Sequence, residues 1–267
     1  MYNDNSVAGA SPALNVMIKA AEKAARSLVR DFGEVEHLQV SVKGPGDFVT
    51  NADRKAEKIL IQELQKARPK YGFLIEESGE ILGEDPEYCW IVDPLDGTTN
   101  FLHGIPHFAI SIALEKRGEI ISAVIYDPIK NEFFTAEKGR GAFFNKRKIR
   151  VSGRDKLQNC VVGTGVPVTQ PKSDEATSQL RSINTHVAAV RSFGSIALDL
   201  AYIGAGRLDG FWKNNFQPWD VAAGMLIVQE AGGIVTDATG DEFHFESPSI
   251  LATNAKIHEQ IIQAIQG

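Results

Sequence analysis

Apolar residues recur along this chain with two different periods, and each period predicts a different element. From Ser11 to about residue 30, and again from Asn51 to about Arg68, they return every three or four positions, which predicts two amphipathic helices. Ser11 before Pro12 is typical of a helix start, and Pro69 ends the second stretch. The chain is therefore expected to open with two helices, joined through a short strand over residues 38–42.

Short apolar runs further along the chain predict strands. The runs FLIEE (73–77) and WIVD (90–93) each end in acidic residues, and residues 108–149 predict an antiparallel meander with turns near 117 and 140. Beyond that point strands at 160–167, 188–194, 208–213, 233–237 and 250–254 alternate with helices at 173–186, 195–205, 218–230 and 255–266. This order predicts an α+β fold of stacked layers, one domain over residues 1–267, with a subdomain seam near residue 150.

Composition narrows the class of protein. The chain has 267 residues, of which 43% are hydrophobic and 23% charged, and its net charge is −6. A negative chain argues against a broad nucleic-acid or membrane surface. The basic residues Lys146, Arg147, Lys148 and Arg150 are interpreted as a solvated hairpin edge, with a local binding patch as the alternative.

The cellular location of the protein is predicted from targeting and membrane-spanning features that the sequence lacks. No apolar run approaches the roughly 20 residues of a membrane span, and no signal peptide is recognised at the start. Cys89 and Cys160 lie in apolar contexts, which predicts buried thiols in a reducing compartment. A cytoplasmic protein is therefore expected.

The stretch WIVDPLDGTTNF carries the first candidate chemistry. Asp93 ends a predicted strand, and Asp96 follows a proline turn that can return it to the same place or let it cap a helical turn. Gly97 permits a tight turn, after which the amides of Gly97 and Thr98 would form an anion site at a helix start. The alternative interpretation is that both aspartates are ordinary turn and capping residues.

Three further acidic residues occupy similar positions, namely Glu76, Glu77 and Asp220. Two carboxylates 4 Å apart repel by roughly 4 kcal/mol at an effective dielectric near 20. If these groups converge, cations must hold them together. Ligands that offer only oxygen favour Mg²⁺ or Mn²⁺ over zinc.

The stretches IEESGE, WIVDPLDGTTNFLHGIPHFAISIAL and PWDVAAGMLIVQEAGG resemble the inositol monophosphatase family, and the likeness runs from about Ser11 to Ile265. The resemblance implies a layered α-β-α-β-α sandwich, usually a homodimer. It also implies a lithium-sensitive phosphatase that uses two or three Mg²⁺ ions, or Mn²⁺, to hydrolyse a small phosphate monoester such as myo-inositol monophosphate.

The resemblance assigns metal ligands residue by residue. The first ion would be held by Glu76, Asp93 and the carbonyl of Leu95. The second would be held by Asp93, Asp96 and Asp220. A weaker third ion would lie near Glu76 and Glu77.

The resemblance also assigns groups that contact the substrate or the attacking water. The amides of Gly97 and Thr98 would bind phosphate next to Asp96, and the Thr98 hydroxyl, paired with Asp53, would orient the water. The expected catalytic residues are thus Glu76, Thr98 and Asp53. Contacts to the alcohol portion of the substrate are expected from Gly194, Ser195 and Ile196, whereas Lys43 and Asp47 match positions near the site entrance.

Lys213 departs from the family pattern. Many members that act on inositol phosphate carry glutamate at the matching position, where it accepts hydrogen bonds, but an ammonium only donates them. Lys213 would face solvent or contact a second anionic group, and so would tune substrate preference. Fructose 1,6-bisphosphate and a 3′-phosphonucleotide are alternative substrates, and a regulatory binding protein on the same fold is the alternative outside enzymes.

Overall fold

A computed structural model of the chain describes residues 9–34, 40–44, 47–165 and 174–266. The side chains of residues 40–50 and 174–176 lie outside this description. Lys43 and Asp47, expected near the site entrance, therefore have no described side chain. The predicted elements at 38–42, 160–167 and 173–186 are described only from Val40, up to Gly165 and from Asp174, respectively.

The chain begins with α1 (Pro12–Phe32), a hairpin of β1 (Val40–Gly44) and β2 (Asp47–Thr50), and α2 (Asn51–Ala67). The predicted start of α1 is confirmed, because Ser11 Oγ accepts a hydrogen bond of 3.1 Å from the Leu14 amide and Pro12 is the first helical residue. Both helices turn an apolar face inward, as their spacing predicts.

An eight-stranded sheet follows. Its strands are β3 (Tyr71–Ile75), β4 (Gly79–Ile81), β5 (Asp85–Asp96), β6 (Ala109–Lys116), β7 (Glu119–Asp127), β8 (Glu132–Glu137), β9 (Gly141–Phe144) and β10 (Arg147–Lys148). Their order across the sheet is β10-β9-β8-β7-β6-β5-β3-β4, and only β3 and β5 pair in parallel. The predicted meander over 108–149 is confirmed as β6 to β10.

The short helix α3 (Thr98–Leu102) lies between β5 and β6 in the sequence. The remaining elements build a second sheet with its helices. They are β11 (Val161–Thr164), α4 (Asp174–His186), β12 (Ala189–Arg191), α5 (Ile196–Gly204), β13 (Gly210–Asn214), α6 (Pro218–Glu230), β14 (Gly233–Thr236), β15 (Ser249–Asn254) and α7 (His258–Gln266). The sheet order is β12-β11-β13-β15-β14, where β11 runs parallel to both of its neighbours. The strand β15 pairs antiparallel with β13 and β14.

The buried residues show how these elements stack. One apolar cluster joins α1 and α2 to one face of the eight-stranded sheet, and a second joins α5 and α6 to its other face. A third packs α5 and α6 on the five-stranded sheet, whose far side is covered by α4 and α7. The predicted α-β-α-β-α sandwich is confirmed.

The two central helices, α5 and α6, pack closely against each other. A Cβ atom added at Gly224 of α6 would lie 2.5 Å from Leu200 Cβ of α5, and one at Gly204 would lie 2.7 Å from an Ile227 methyl. Because such distances do not occur between real side chains, glycine at these positions sets how closely α5 and α6 approach. This pair carries several residues of the site described below.

Several details differ from the prediction. β4 was not expected, and β5 continues through Asp96 with an irregularity in its pairing between Asp93 and Asp96. Cys160 is buried as expected, but Cys89 is only half-buried, which corrects that prediction, and both thiols are unpaired. The basic residues Lys146, Arg147, Lys148 and Arg150 are exposed at and next to the edge strand β10.

In the sequence, the last strand of the eight-stranded sheet ends at Lys148 and the first strand of the five-stranded sheet begins at Val161. A subdomain seam was predicted near residue 150, between these strands, and it stays a prediction. Within the described ranges, no helix is both long and apolar enough to cross a membrane.

Candidate active site

A cleft of about 390 Å³ lies where the two sheets and the central helices meet. Its wall combines carboxyl groups, main chain from two glycine-containing turns, and one lysine. The described residues that line it are Glu76, Asp93, Leu95, Asp96, Gly97, Thr98, Thr99, Asn100, Thr164, Gly165, Ser192, Gly194, Ser195, Ile196, Asp199, Lys213 and Asp220. Most of the residues predicted for the site are therefore brought together.

Two predicted residues are not among those that line the cleft, namely Asp53 and Glu77. Asp53 lies directly behind it, in contact with Thr98. The amide of Glu77 donates to the buried carboxylate of Glu57 (3.2 Å), as does the Ser78 hydroxyl (2.5 Å). Glu57 on α2 thus anchors the turn that follows β3, and this turn presents Glu76 to the cleft.

The end of β5 and the start of α3 form one wall. Asp93 is 2% exposed, and its Oδ1 accepts a hydrogen bond of 2.9 Å from the Leu95 amide, which fixes the turn between the two aspartates. Gly97 precedes α3 with a φ of 99°, as the predicted tight turn requires. A side chain at Gly97 would meet the His107 carbonyl oxygen at 3.1 Å. The first amides of α3 have no partner within the helix, as at every helix start.

Asp96 was expected either to return to the place of Asp93 or to cap the helical turn that follows, and it lines the same cleft as Asp93. It does not cap α3, whose start receives no side-chain hydrogen bond. It accepts hydrogen bonds from Ser195 Oγ (2.5 Å), the Ala197 amide (2.8 Å) and the Ile196 amide (3.3 Å), and so caps α5. This carboxylate therefore ties the wall formed by β5 to the wall formed by α5.

The hydroxyl of Thr98 is held in place from two sides. Its Oγ1 lies 3.3 Å from Asp53 Oδ1 and 3.1 Å from the Leu95 carbonyl oxygen, and it can donate to either. The pairing of Thr98 with Asp53 that was predicted from the sequence is present. Asp53 is 1% exposed, so its carboxylate is a fixed acceptor at the base of the cleft.

The carboxyl groups raise one another's proton affinity. Burial raises the pKa of Asp93 well above its usual range, and the charges of Glu76, Asp96 and Asp220 raise it further. Burial raises the pKa of Asp96 to about 6 against its hydrogen bond from Ser195. Burial also raises the pKa of Asp220, whereas the charge of Lys213 lowers it. The cleft thus concentrates negative charge that a cation would relieve.

The cleft offers oxygen ligands of the kind that a hard divalent cation prefers. Asp93, Asp96, Asp220, Glu76 and the Leu95 carbonyl offer oxygen atoms only, which suits Mg²⁺ or Mn²⁺. In the part of the chain that the structure describes, however, no three Asp, Glu, His or Cys side chains are arranged as a group that could hold a metal ion. The ligands share one cleft, but they would have to turn towards an ion to bind it.

The sequence analysis did not assign six of the lining residues to the site, namely Thr99, Asn100, Thr164, Gly165, Ser192 and Asp199. Asn100 and Asp199 matter most for its geometry. Asn100 donates from Nδ2 to the carbonyl oxygens of His107 (2.8 Å) and Phe193 (2.7 Å), and so links α3 to the turn at Gly194. Asp199 on α5 is 2% exposed, and its Oδ1 has no hydrogen-bond partner among the described residues. The signal for Asp199 was present, because it is the only charged residue of the apolar stretch IALDLAYIG.

The sequence of this chain is similar to the sequences of known proteins over nearly its whole length. Residues 10–267 match the sequence profile of the inositol monophosphatase family. An inositol-1-monophosphatase of Mesorhizobium japonicum is 54% identical over 257 residues, which cover 96% of this chain and 97% of that protein. The Nus factor SuhB of Pseudomonas aeruginosa is 43% identical over 260 residues, with 96% of each chain covered.

A solved structure agrees with these sequence matches. The crystal structure of the extragenic suppressor protein SuhB from Bartonella henselae superposes with a TM-score of 0.94 at 57% identity. The match covers 96% of this chain and 99% of that one. The likeness therefore extends over nearly the whole fold, including every element that lines the cleft.

Proposed function

The chain belongs to the inositol monophosphatase family and is a phosphoric monoester hydrolase, and we propose that it hydrolyses a small phosphate monoester, first of all myo-inositol monophosphate, with Mg²⁺. The observation that carries this proposal is the cleft itself. It brings Glu76, Asp93, Asp96 and Asp220 together beside the first turn of α3. Binding a cation there would reduce the repulsion between the buried carboxylates and so stabilise the folded chain.

In this proposal the metal ligands are those that the family likeness assigns. Glu76, Asp93 and the Leu95 carbonyl would hold the first ion, and Asp93, Asp96 and Asp220 would hold the second. A weaker third ion would lie near Glu76 and Glu77, and lithium inhibition is expected from that site. When bound, such ions polarise the phosphoryl oxygens and lower the pKa of water. Mn²⁺ suits the same oxygen ligands.

The chain's own groups position the reactants. The amides of Gly97 and Thr98 point towards the phosphate from the start of α3. Thr98 Oγ1 donates to Asp53 or to the Leu95 carbonyl, which leaves its lone pairs to accept a hydrogen bond from the attacking water. Gly194, Ser195 and Ile196 border the space left for the alcohol portion of the ester.

The test is hydrolysis of a panel of esters with Mg²⁺ and with a chelator. The panel holds myo-inositol 1-phosphate, fructose 1,6-bisphosphate, a 3′-phosphonucleotide and p-nitrophenyl phosphate. We expect turnover that is lost in chelator and restored by Mg²⁺, and inhibition by lithium. Full turnover in chelator would contradict the proposal, whereas hydrolysis of the other esters alone would reassign the substrate.

A regulatory role is the second candidate, and the relative named Nus factor SuhB favours it. Complementation of Pseudomonas aeruginosa that lacks SuhB separates the two roles. If this chain with Asp93→Asn restores the Nus-factor role without phosphatase activity, the role is regulatory. If neither the wild type nor the variant restores it, the candidate is excluded.

The remaining parts of the proposal concern assembly and location. We propose a homodimer in the cytoplasm, in keeping with the family likeness and with two unpaired thiols. Light scattering on the purified protein would give twice the chain mass of 29.1 kDa. A mass equal to one chain would contradict the dimer.

A further inference from the structure

Lys213 is the only cation among the described residues that line the cleft, where it faces five acidic side chains. Its position on β13 is fixed by the neighbouring strand β11. A Cβ atom added at Gly165 would lie 2.8 Å from Lys213 Cδ and 3.2 Å from its Cε. The lysine stem therefore runs over bare backbone at Gly165. This contact holds the stem along the wall of the cleft, where Lys213 is half-buried.

The ammonium of Lys213 is near several carboxylates but bonded to none. Burial raises the pKa of Asp96, Asp199 and Asp220, and the charge of Lys213 offsets part of each increase. Yet Lys213 forms no ion pair within 4.0 Å with a residue whose side chain the structure describes, although ten such pairs occur elsewhere. A half-buried cation without an ion-pair partner among the described side chains is available to a ligand.

Asp199 supplies the complementary feature. It is almost fully buried, it lines the same cleft, and its Oδ1 lacks a hydrogen-bond partner among the described residues. Its carboxyl carbon is 3.6 Å from the position of a Cβ atom at Gly163, which is ordinary van der Waals contact, so Asp199 packs beside the main chain of β11. The second glycine of GTG at 163–165, a weak signal by itself, leaves room for the stem of Lys213.

We propose that Lys213 and Asp199 form a subsite for the alcohol portion of the ester, in which Lys213 binds a second anionic group and Asp199 accepts a hydrogen bond from a hydroxyl. This rests on the proposed phosphatase function and adds that a hydroxylated ester with a second negative charge is hydrolysed more efficiently than one with hydroxyls alone, such as myo-inositol monophosphate. A sugar or polyol bisphosphate and a phosphorylated sugar acid share this chemistry. An ester with hydroxyls alone would use only half of the subsite.

Three esters with the same carbon skeleton separate the two contacts. Isopropyl phosphate lacks both groups, glycerol 2-phosphate adds hydroxyls, and 2-phosphoglycerate replaces one hydroxymethyl group with a carboxylate. The ratio of kcat/KM for the second ester to that for the first reports recognition of a hydroxyl. The ratio for the third to the second reports recognition of the anion.

For the wild type we expect 2-phosphoglycerate to exceed glycerol 2-phosphate by about 10- to 100-fold, the scale of a hydrogen bond to a charged group. Lys213→Met should remove this preference and Lys213→Arg should keep it. Asp199→Ala should lower the ratio of glycerol 2-phosphate to isopropyl phosphate by about tenfold and leave the anion ratio in place. Lys256→Met, a change at an exposed lysine, is the control.

The outcomes distinguish this inference from the proposed function. If Lys213→Met changes all three esters by one common factor, the lysine only balances the acidic charge and the subsite is refuted. The same holds if both ratios are unchanged in the two variants. If the wild type hydrolyses none of the esters with Mg²⁺, the proposed function fails, and the subsite fails with it.

Discussion

Thr98 and Asp53 are 45 positions apart in the chain, yet their side chains lie 3.3 Å apart at the base of the cleft. Asp53 belongs to α2 in the outer helical layer, and Thr98 begins α3 at the end of β5. The hydrogen bond therefore reaches from an outer helix through to the site. It orients a hydroxyl that the main chain alone would leave free to rotate.

Thr98→Ala should lower kcat about 10²- to 10⁴-fold and change KM little. The amides proposed to bind phosphate survive the substitution, but the hydroxyl proposed to position water is lost. Steady-state kinetics on one ester would measure both constants. Thr98→Ser keeps a hydroxyl and should recover much of the rate. A variant that loses affinity while its turnover stays normal would make Thr98 a binding residue only.

Asp93→Asn should abolish most turnover and stabilise the metal-free protein. The carboxylate is buried beside three other acids, so its replacement removes repulsion on the scale of one close charge pair, about 1–4 kcal/mol. Urea unfolding in chelator would measure the gain. Asp155→Asn, at an exposed site, is the control. Normal turnover in Asp93→Asn would overturn the assignment of this residue to both ions.

Asp96 should make the stability of the metal-free protein depend on pH. Its pKa is raised to about 6, so the folded protein binds a proton that the unfolded chain has already released near pH 4. Stability from this group is therefore highest below pH 4 and is lost as the pH rises through 6, by about 3 kcal/mol.

The measurement is the unfolding free energy of wild type minus that of Asp96→Asn, in chelator, between pH 4 and 7. We expect this difference to fall as the pH rises. A difference that stays constant would show that Asp96 titrates alike in the folded and unfolded chain.

Gly224→Ala should destabilise the fold by about 1–3 kcal/mol, because the new methyl group would overlap with Leu200. The higher helix propensity of alanine offsets part of this cost, by about 1 kcal/mol. Gly153→Ala is the matched control, since a Cβ atom there has no neighbour within 4 Å. Equal unfolding free energies in the two variants would mean that α5 and α6 can separate without loss.

The sequence predicted best those elements that carry their own boundaries. α6 runs from Pro218 to Glu230 as expected, because proline marks its start and a glycine pair follows its end. β4 was missed because Gly79–Ile81 is short and partly polar, and it is a strand only through its pairing with β3. Local pattern carries no information about such a partner.

The residues of the site also differ in how far the sequence alone could place them. The motif around Asp93, Gly97 and Thr98 could be identified locally, since strand, turn and helix start are consecutive. The partner of Asp96 could not, because Ser195 lies 99 positions away and either of two helix starts was open to it. Strand alternation likewise leaves open whether Lys213 faces the cleft, which depends on where β13 is placed beside β11.

The cleft is assembled from separate stretches of chain, since residues 76–98 and Asp220 carry the proposed metal ligands and phosphate-binding amides, and residues 192–213 border the alcohol portion of the ester. Asp96 and Asn100 connect them through hydrogen bonds to main chain and to Ser195, which do not depend on the chemistry of the substrate. Substitutions in residues 192–213 can therefore change which ester is preferred, while the proposed metal ligands and phosphate-binding groups stay the same. A chimera that receives residues 192–213 from an inositol-specific relative should acquire that relative's selectivity in a single step.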